Sequence, residues 1–161
     1  MADLVQNADN SVSVRNELDG LDLARWGGPS GPSPQSPRWG GSKTVKLPLA
    51  ANDTGGGIFS WVNPEPVAIV VTSVYVDATM PSSGACAISV GTTAVSGATV
   101  SANLIDTLSL ATAGTFDTIT DKGTNGRSRQ RLAVGAWVTG STVSGASAGL
   151  AGNVYITYLV A

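Results

Sequence analysis

Residues 27–42 read GGPSGPSPQSPRWGGS, and thirteen of these sixteen are Gly, Pro or Ser. Such a stretch can bury almost no apolar surface, so it cannot offset the entropy of its own ordering. Pro29, Pro32, Pro34 and Pro37 favour extended, polyproline-like backbone, and paired glycines at either end act as joints. One continuous core therefore cannot run through this chain. The sequence predicts an extended N-terminal arm, residues 1–43, ending in this tether, followed by a domain at residues 44–161.

The second part has the size of an ordinary single domain. Net charge is -2, which gives no general drive toward nucleic acid or an anionic membrane. Charged residues are 12% of the chain, about half the ~25% usual in soluble domains. Ser, Thr, Ala and Gly take their place, as on a compact β surface that is polar but weakly charged. Histidine is absent, which removes the commonest general base and the commonest metal ligand. The single cysteine, Cys86, has no partner for a disulfide or a zinc site and reads as a small apolar strand residue. No apolar run approaches a membrane span, and the acidic, polar N-terminus is unlike a signal peptide. The expectation is a soluble protein made in a cytoplasm, with no cofactor and no metal.

From Thr44 onward the pattern is β. Thr44–Leu49, Ile58–Val62, Val67–Asp77, Ala85–Val90, Thr115–Thr120, Arg131–Thr139 and Val154–Val160 are rich in Val, Ile, Thr and aromatics, each bounded by turn formers. Val67–Asp77 reads as a central strand buried on much of both faces. Val154, Ile156, Tyr158 and Val160 fall on one side of the last strand, with Tyr155, Thr157 and Leu159 on the other. Asn63–Pro66 halts a strand, Met80–Gly84 is a short loop, and Asp121–Gly126 marks a tight reversal. Thr92–Asn103 and Thr139–Gly152, nearly all small residues, read as surface loops ahead of edge strands. Leu104–Leu110 is a short, ambiguous run. These elements predict an all-β antiparallel sandwich or jelly roll. In the arm, Val14, Leu18 and Leu21 have helical spacing within Ser11–Trp26, although Val12 and Val14 also fit a strand.

No residue set carries chemistry. Asp53, Glu65, Asp77, Asp106, Asp117 and Asp121 are scattered singly, and turn or edge roles account for them better than a glycosidase pair or a calcium site. Without histidine, SxxK or GxSxG there is no serine nucleophile, and Gly55–Gly57 lacks the context of a phosphate loop. Arg127, Arg129 and Arg131 alternate, giving either a solvated edge or a subunit interface facing an acidic neighbour. Trp61 and Trp137 lie within strands and read as core. Trp26 and Trp39, preceded by Arg25 and Arg38, sit in a segment with no core of its own. Trp and Arg dominate interface hot spots, so these four residues, with Leu18 and Leu21, read as anchors into a partner.

The domain resembles capsid decoration (cement) proteins of tailed bacteriophages. The likeness lies in Phe59–Glu65 and the Val-rich strand after it, the Pro-Ser-Ser-Gly-Ala-Cys turn, Thr115–Gly126 and Gly135–Ser141. It implies a non-enzymatic structural protein on the outer surface of a virion, bound to the major capsid protein and forming a homotrimer on three-fold axes. It also implies no catalytic residues. A carbohydrate- or receptor-binding β-sandwich module is the alternative, with Trp61 or Trp137 and the tyrosines facing outward.

Overall fold

The computed structural model describes residues 2–6, 12–16, 41–49, 51, 57–97 and 100–160, which fall into two compact units, Met1–Trp39 and Gly40–Ala161. In the first unit, β1 (Ala2–Gln6) pairs antiparallel with β2 (Val12–Asn16). Val12 and Val14 thus take the strand reading, and the helix considered for Ser11–Trp26 does not include residues 12–16. Pairing with β1 gives this short segment hydrogen-bond partners that a lone helical turn would lack. The rest of that stretch lies outside the described residues.

The second unit is all β: β3 (Lys43–Leu49), β4 (Gly57–Val62), β5 (Ile69–Met80), β6 (Gly84–Thr93), β7 (Ile105–Ser109), β8 (Gly114–Asp117), β9 (Gln130–Leu132), β10 (Trp137–Ala146) and β11 (Ala151–Val160). One sheet has the order β3-β11-β5-β8, with β9 also on β5, and the other β4-β10-β6-β7. Every pairing is antiparallel. Leaving β9 aside, the first strand pairs with the last, the second with the second-last, and so inward to β6 with β7. This is the winding of a jelly roll. The two sheets bury Ile69, Val71, Val74, Val76, Ile88, Val90, Val138, Val154 and Ile156 between them, with Leu104, Ile105 and Leu110 closing one side.

Sequence pattern and structure differ where neighbours override local preference. Only one face of β5 is buried, because a register shift opposite Thr157/Tyr158 sends Val71 and Val74 inward alike. Its other face leaves Tyr75 44% exposed. The stretch expected to continue as strand to Thr120 stops at Asp117, whose carboxylate Oδ1 accepts the Ile119 and Thr120 amides at 2.6 and 2.7 Å. Arg131–Thr139 is two strands, since a turn at Gly135 (φ 70°) carries the chain from one sheet to the other.

Thr139–Gly152 is largely strand rather than loop. Thr139–Ser141 are paired to β4 on one side and β6 on the other, the residues of β10 beyond them to β6 alone, and Gly140 leaves room for the buried Phe59 ring. A Cβ at Gly140 would lie 2.2 Å from that ring. Gly140→Val is expected to destabilise the knob by about 2–4 kcal/mol through overpacking, measured by urea unfolding. Residues 94–97 and 100–103 lie outside any strand, and Asn103 ties this stretch to β6: its Oδ1 accepts the Thr92 amide at 2.9 Å.

Candidate functional site

The polar side chains that look most like chemistry on paper are spent on turns. Asp117 Oδ1 also accepts the Thr120 hydroxyl, and Asp121 Oδ2 accepts both the Asp117 amide and that hydroxyl. The turn thus brings Asp117 and Asp121 together, but as its own internal braces. Asp106 accepts the Thr107 hydroxyl at one oxygen and the Asn125 amide groups at the other. This pins residues 122–127 across the start of β7, where Gly123 (φ 70°) sits against the Asp106 carbonyl. The Asp106 carboxyl is held below its ordinary range, first by the Thr107 hydroxyl. That of Asp117 is lowered too, first by the Thr120 amide. Carboxyls held ionised in this way cannot act as general acids near neutrality. Asp53 lies outside the described residues, and among those described no group of His, Cys, Asp and Glu is placed to hold a metal. A groove of about 340 Å³ between β3 and β4 is lined by Leu47, Pro48, Ile58, Phe59 and Ser60 with Gly57 and Gly97, none of them ionisable.

The best-connected polar cluster closes one end of the sandwich. Asn63 is 5% exposed; its Nδ2 donates to the carbonyls of Val67 and Ala133 at 3.0 Å each, while its Oδ1 accepts the Glu65 amide. The turn so fixed presents Glu65 to Lys43 Nζ at 2.5 Å and to the Tyr158 hydroxyl at 3.0 Å. Trp61 packs on Tyr158 with ring centroids 5.2 Å apart. Sequence therefore placed Trp61 correctly toward the core, whereas Trp137 is half-buried and in register with Val62 and Thr93 on the opposite face of its sheet from Val138.

Lys43 and Tyr158 both stabilise the Glu65 carboxylate, lowering its proton affinity, while Glu65 raises that of Lys43. Because the folded value for Glu65 is depressed, its contribution is present above the unfolded value and lost as pH falls through the folded one. Lys43 has the opposite sign, so its share is lost only at strongly alkaline pH. Stability of Glu65→Gln is expected to change less than that of wild type between roughly pH 5 and pH 3. Paired thermal melts across that interval check this.

Arg127, Arg129 and Arg131 are all exposed, and among the described residues no carboxylate forms an ion pair with them. Arg131 alone stands on a sheet, opposite Val70, while the other two precede β9. Leu18, Leu21, Arg25, Trp26, Arg38 and Trp39 lie outside the described residues.

Sequence reasoning did not assemble the feature that dominates the outer face of the five-stranded sheet. Directly paired residues share a face, and Lys46 pairs with Tyr155, Tyr155 with Tyr75, and Tyr75 with Asp117. Tyr75 and Tyr155 alternate with the buried Val74, Val76, Val154 and Ile156, and Lys46 and Asp117 with Val45, Leu47 and Phe116, which pack against the core, so the row points outward. The Lys46 ammonium lies 5.8 Å from the centre of the Tyr155 ring. Strand phase sets Tyr155 on the side opposite Val154 and Ile156, whereas Tyr75 lies in a run that reads as buried on both faces; that the two adjoin follows from register, which separated strands do not announce.

No protein-family model, no curated protein and no solved structure matches this chain.

Proposed function

We propose that this protein is a non-enzymatic structural component of a virion, decorating and stabilising an icosahedral capsid. On this reading the N-terminal arm binds across neighbouring major capsid subunits, and the jelly-roll knob rides on the outer surface. One observation carries it: a self-contained knob is joined to a separate N-terminal unit through a segment that has no means of folding by itself. The jelly roll is a fold that capsids and lectins use repeatedly, which is an argument from analogy. The carboxylates of Asp106 and Asp121, and Oδ1 of Asp117, brace the knob's own turns, which favours a structural role over hydrolysis.

The major capsid protein is the partner in this reading, engaged by many weak arm contacts that add through effective concentration. Co-sedimentation with capsids tests it. Full-length protein pelleting with particles supports the reading, and protein remaining in the supernatant at particle saturation defeats it.

A further inference from the structure

The outer face of the five-stranded sheet has a symmetry that its sequence conceals. Its central row runs Lys46, Tyr155, Tyr75, Asp117 across four neighbouring strands. A cation stands at one end, an anion at the other, and two matched aromatic rings lie between. One row further along come Pro48, Asn153, Asp77 and Thr115. On the other side are Thr157 beside Ser73, then Leu159 beside Val70 and Arg131. Tyr75 is 44% and Leu159 39% exposed, so the centre of this face is apolar and wet.

The geometry points to a second copy of this chain as the occupant of that face, related by a two-fold axis along the strands between β5 and β11. Turning the face over about that axis exchanges β5 with β11 and β3 with β8. Lys46 of each copy then meets Asp117 of the other, and Tyr75 meets Tyr155. Asp77 meets the Asn153 amide, Ser73 meets Thr157, and Val70 meets Leu159. None of these rows sets like charges against each other. The other in-plane axis, across the strands, would set Lys46 on Lys46 and Asp117 on Asp117, and it is disfavoured by that repulsion. Face-to-face packing with strands nearly aligned is the ordinary way two sheets associate, and a surface complementary to itself closes as a pair.

The four strands are about 4.8 Å apart, so the face measures on the order of 500 Å². That is below the ~800 Å² per partner of a stable interface. The pair is therefore weak in solution, with Kd on the order of 100 µM. This contact is independent of the capsid reading and stands or falls without it.

Sedimentation equilibrium of the full chain, from about 10 to 1,000 µM, tests the proposal, with near-UV circular dichroism confirming the fold of each variant. Wild type is expected to form dimers that weaken as salt rises. Tyr75→Arg should raise Kd at least tenfold. Lys46→Glu should raise it about tenfold at low salt and, unlike wild type, recover as salt rises, because its end contacts become repulsive. A merely structural role for Lys46 would not reverse the salt response. A trimer, a monomer throughout the range, or a dimer indifferent to both substitutions overturns the proposal; the monomer result would leave the face to a different occupant.

Discussion

Deletion of residues 1–39 is expected to leave a folded knob that has lost most of its affinity for the capsid. The cut matters. β3 begins at Lys43, and the Lys43–Glu65 ion pair belongs to the knob, so a deletion reaching residue 43 would damage both at once. Ending it at Trp39, where the two units divide, removes the arm alone. Fully extended, residues 1–39 reach on the order of 130 Å, several times the ~25–30 Å diameter of a compact domain this size. On the proposed capsid reading, the arm therefore spans far enough to touch subunits that the knob does not. Within it, Trp26 and Trp39 with Arg25 and Arg38, aided by Leu18 and Leu21, are the side chains able to bury much area in a partner. Trp26→Ala and Trp39→Ala should each cost about 1–3 kcal/mol of binding if they fill pockets, roughly five- to 150-fold in affinity. Particle occupancy of full-length, point-mutant and truncated protein measures this, with far-UV circular dichroism as the folding control. Equal occupancy of full-length and truncated protein would make the arm a passive tail.

Asn63→Ala is expected to lower knob stability by about 2–4 kcal/mol, since the buried Asn63 amide braces three backbone groups at once. The Val67 carbonyl loses its donor, the Ala133 carbonyl keeps only the Ala136 amide, and the Glu65 amide loses its acceptor. The effect should spread, because the same turn aims Glu65 at Lys43 and Tyr158. For a domain this size a loss of that order corresponds to a fall in Tm of about 10–25 °C. Asn63→Asp separates the two roles of the side chain: it keeps the acceptor for Glu65 and loses both donors. Its stability should lie near that of the alanine variant, and calorimetry of both variants decides it. A change under 1 kcal/mol for Asn63→Ala would mean that water replaces the amide without loss.

The all-β architecture was legible because strand chemistry is local. Alternation in Val154–Tyr158 and proline at 64 and 66 needed no tertiary information. What escaped was whatever depends on a neighbour. Gly140–Gly145 looks like loop and is strand because β6 pairs along it, with β4 on the other side as far as Ser141. Ile105 and Leu108, three positions apart, are both buried because Thr107, at φ 59°, breaks the alternation of β7. Asn63 reads as a strand-ending turn residue, and only the approach of Ala133, seventy positions away, turns it into a bracket. The tyrosine row is the same lesson on the surface: each member was visible, and the set was not.

The pairing of first strand with last sets a clock. β11 lies between β3 and β5, so the five-stranded sheet has a hole at its centre until residues 151–160 have been synthesised. Nearly the whole knob must therefore leave the ribosome before its larger sheet can close. Closing the sheet brings together strands about a hundred residues apart, a slow long-range pairing. Until then β3 and β5 expose apolar faces and unpaired edges to every other nascent copy. A protein made in many copies per cell would meet its greatest hazard in that interval, before it has reached any partner at all.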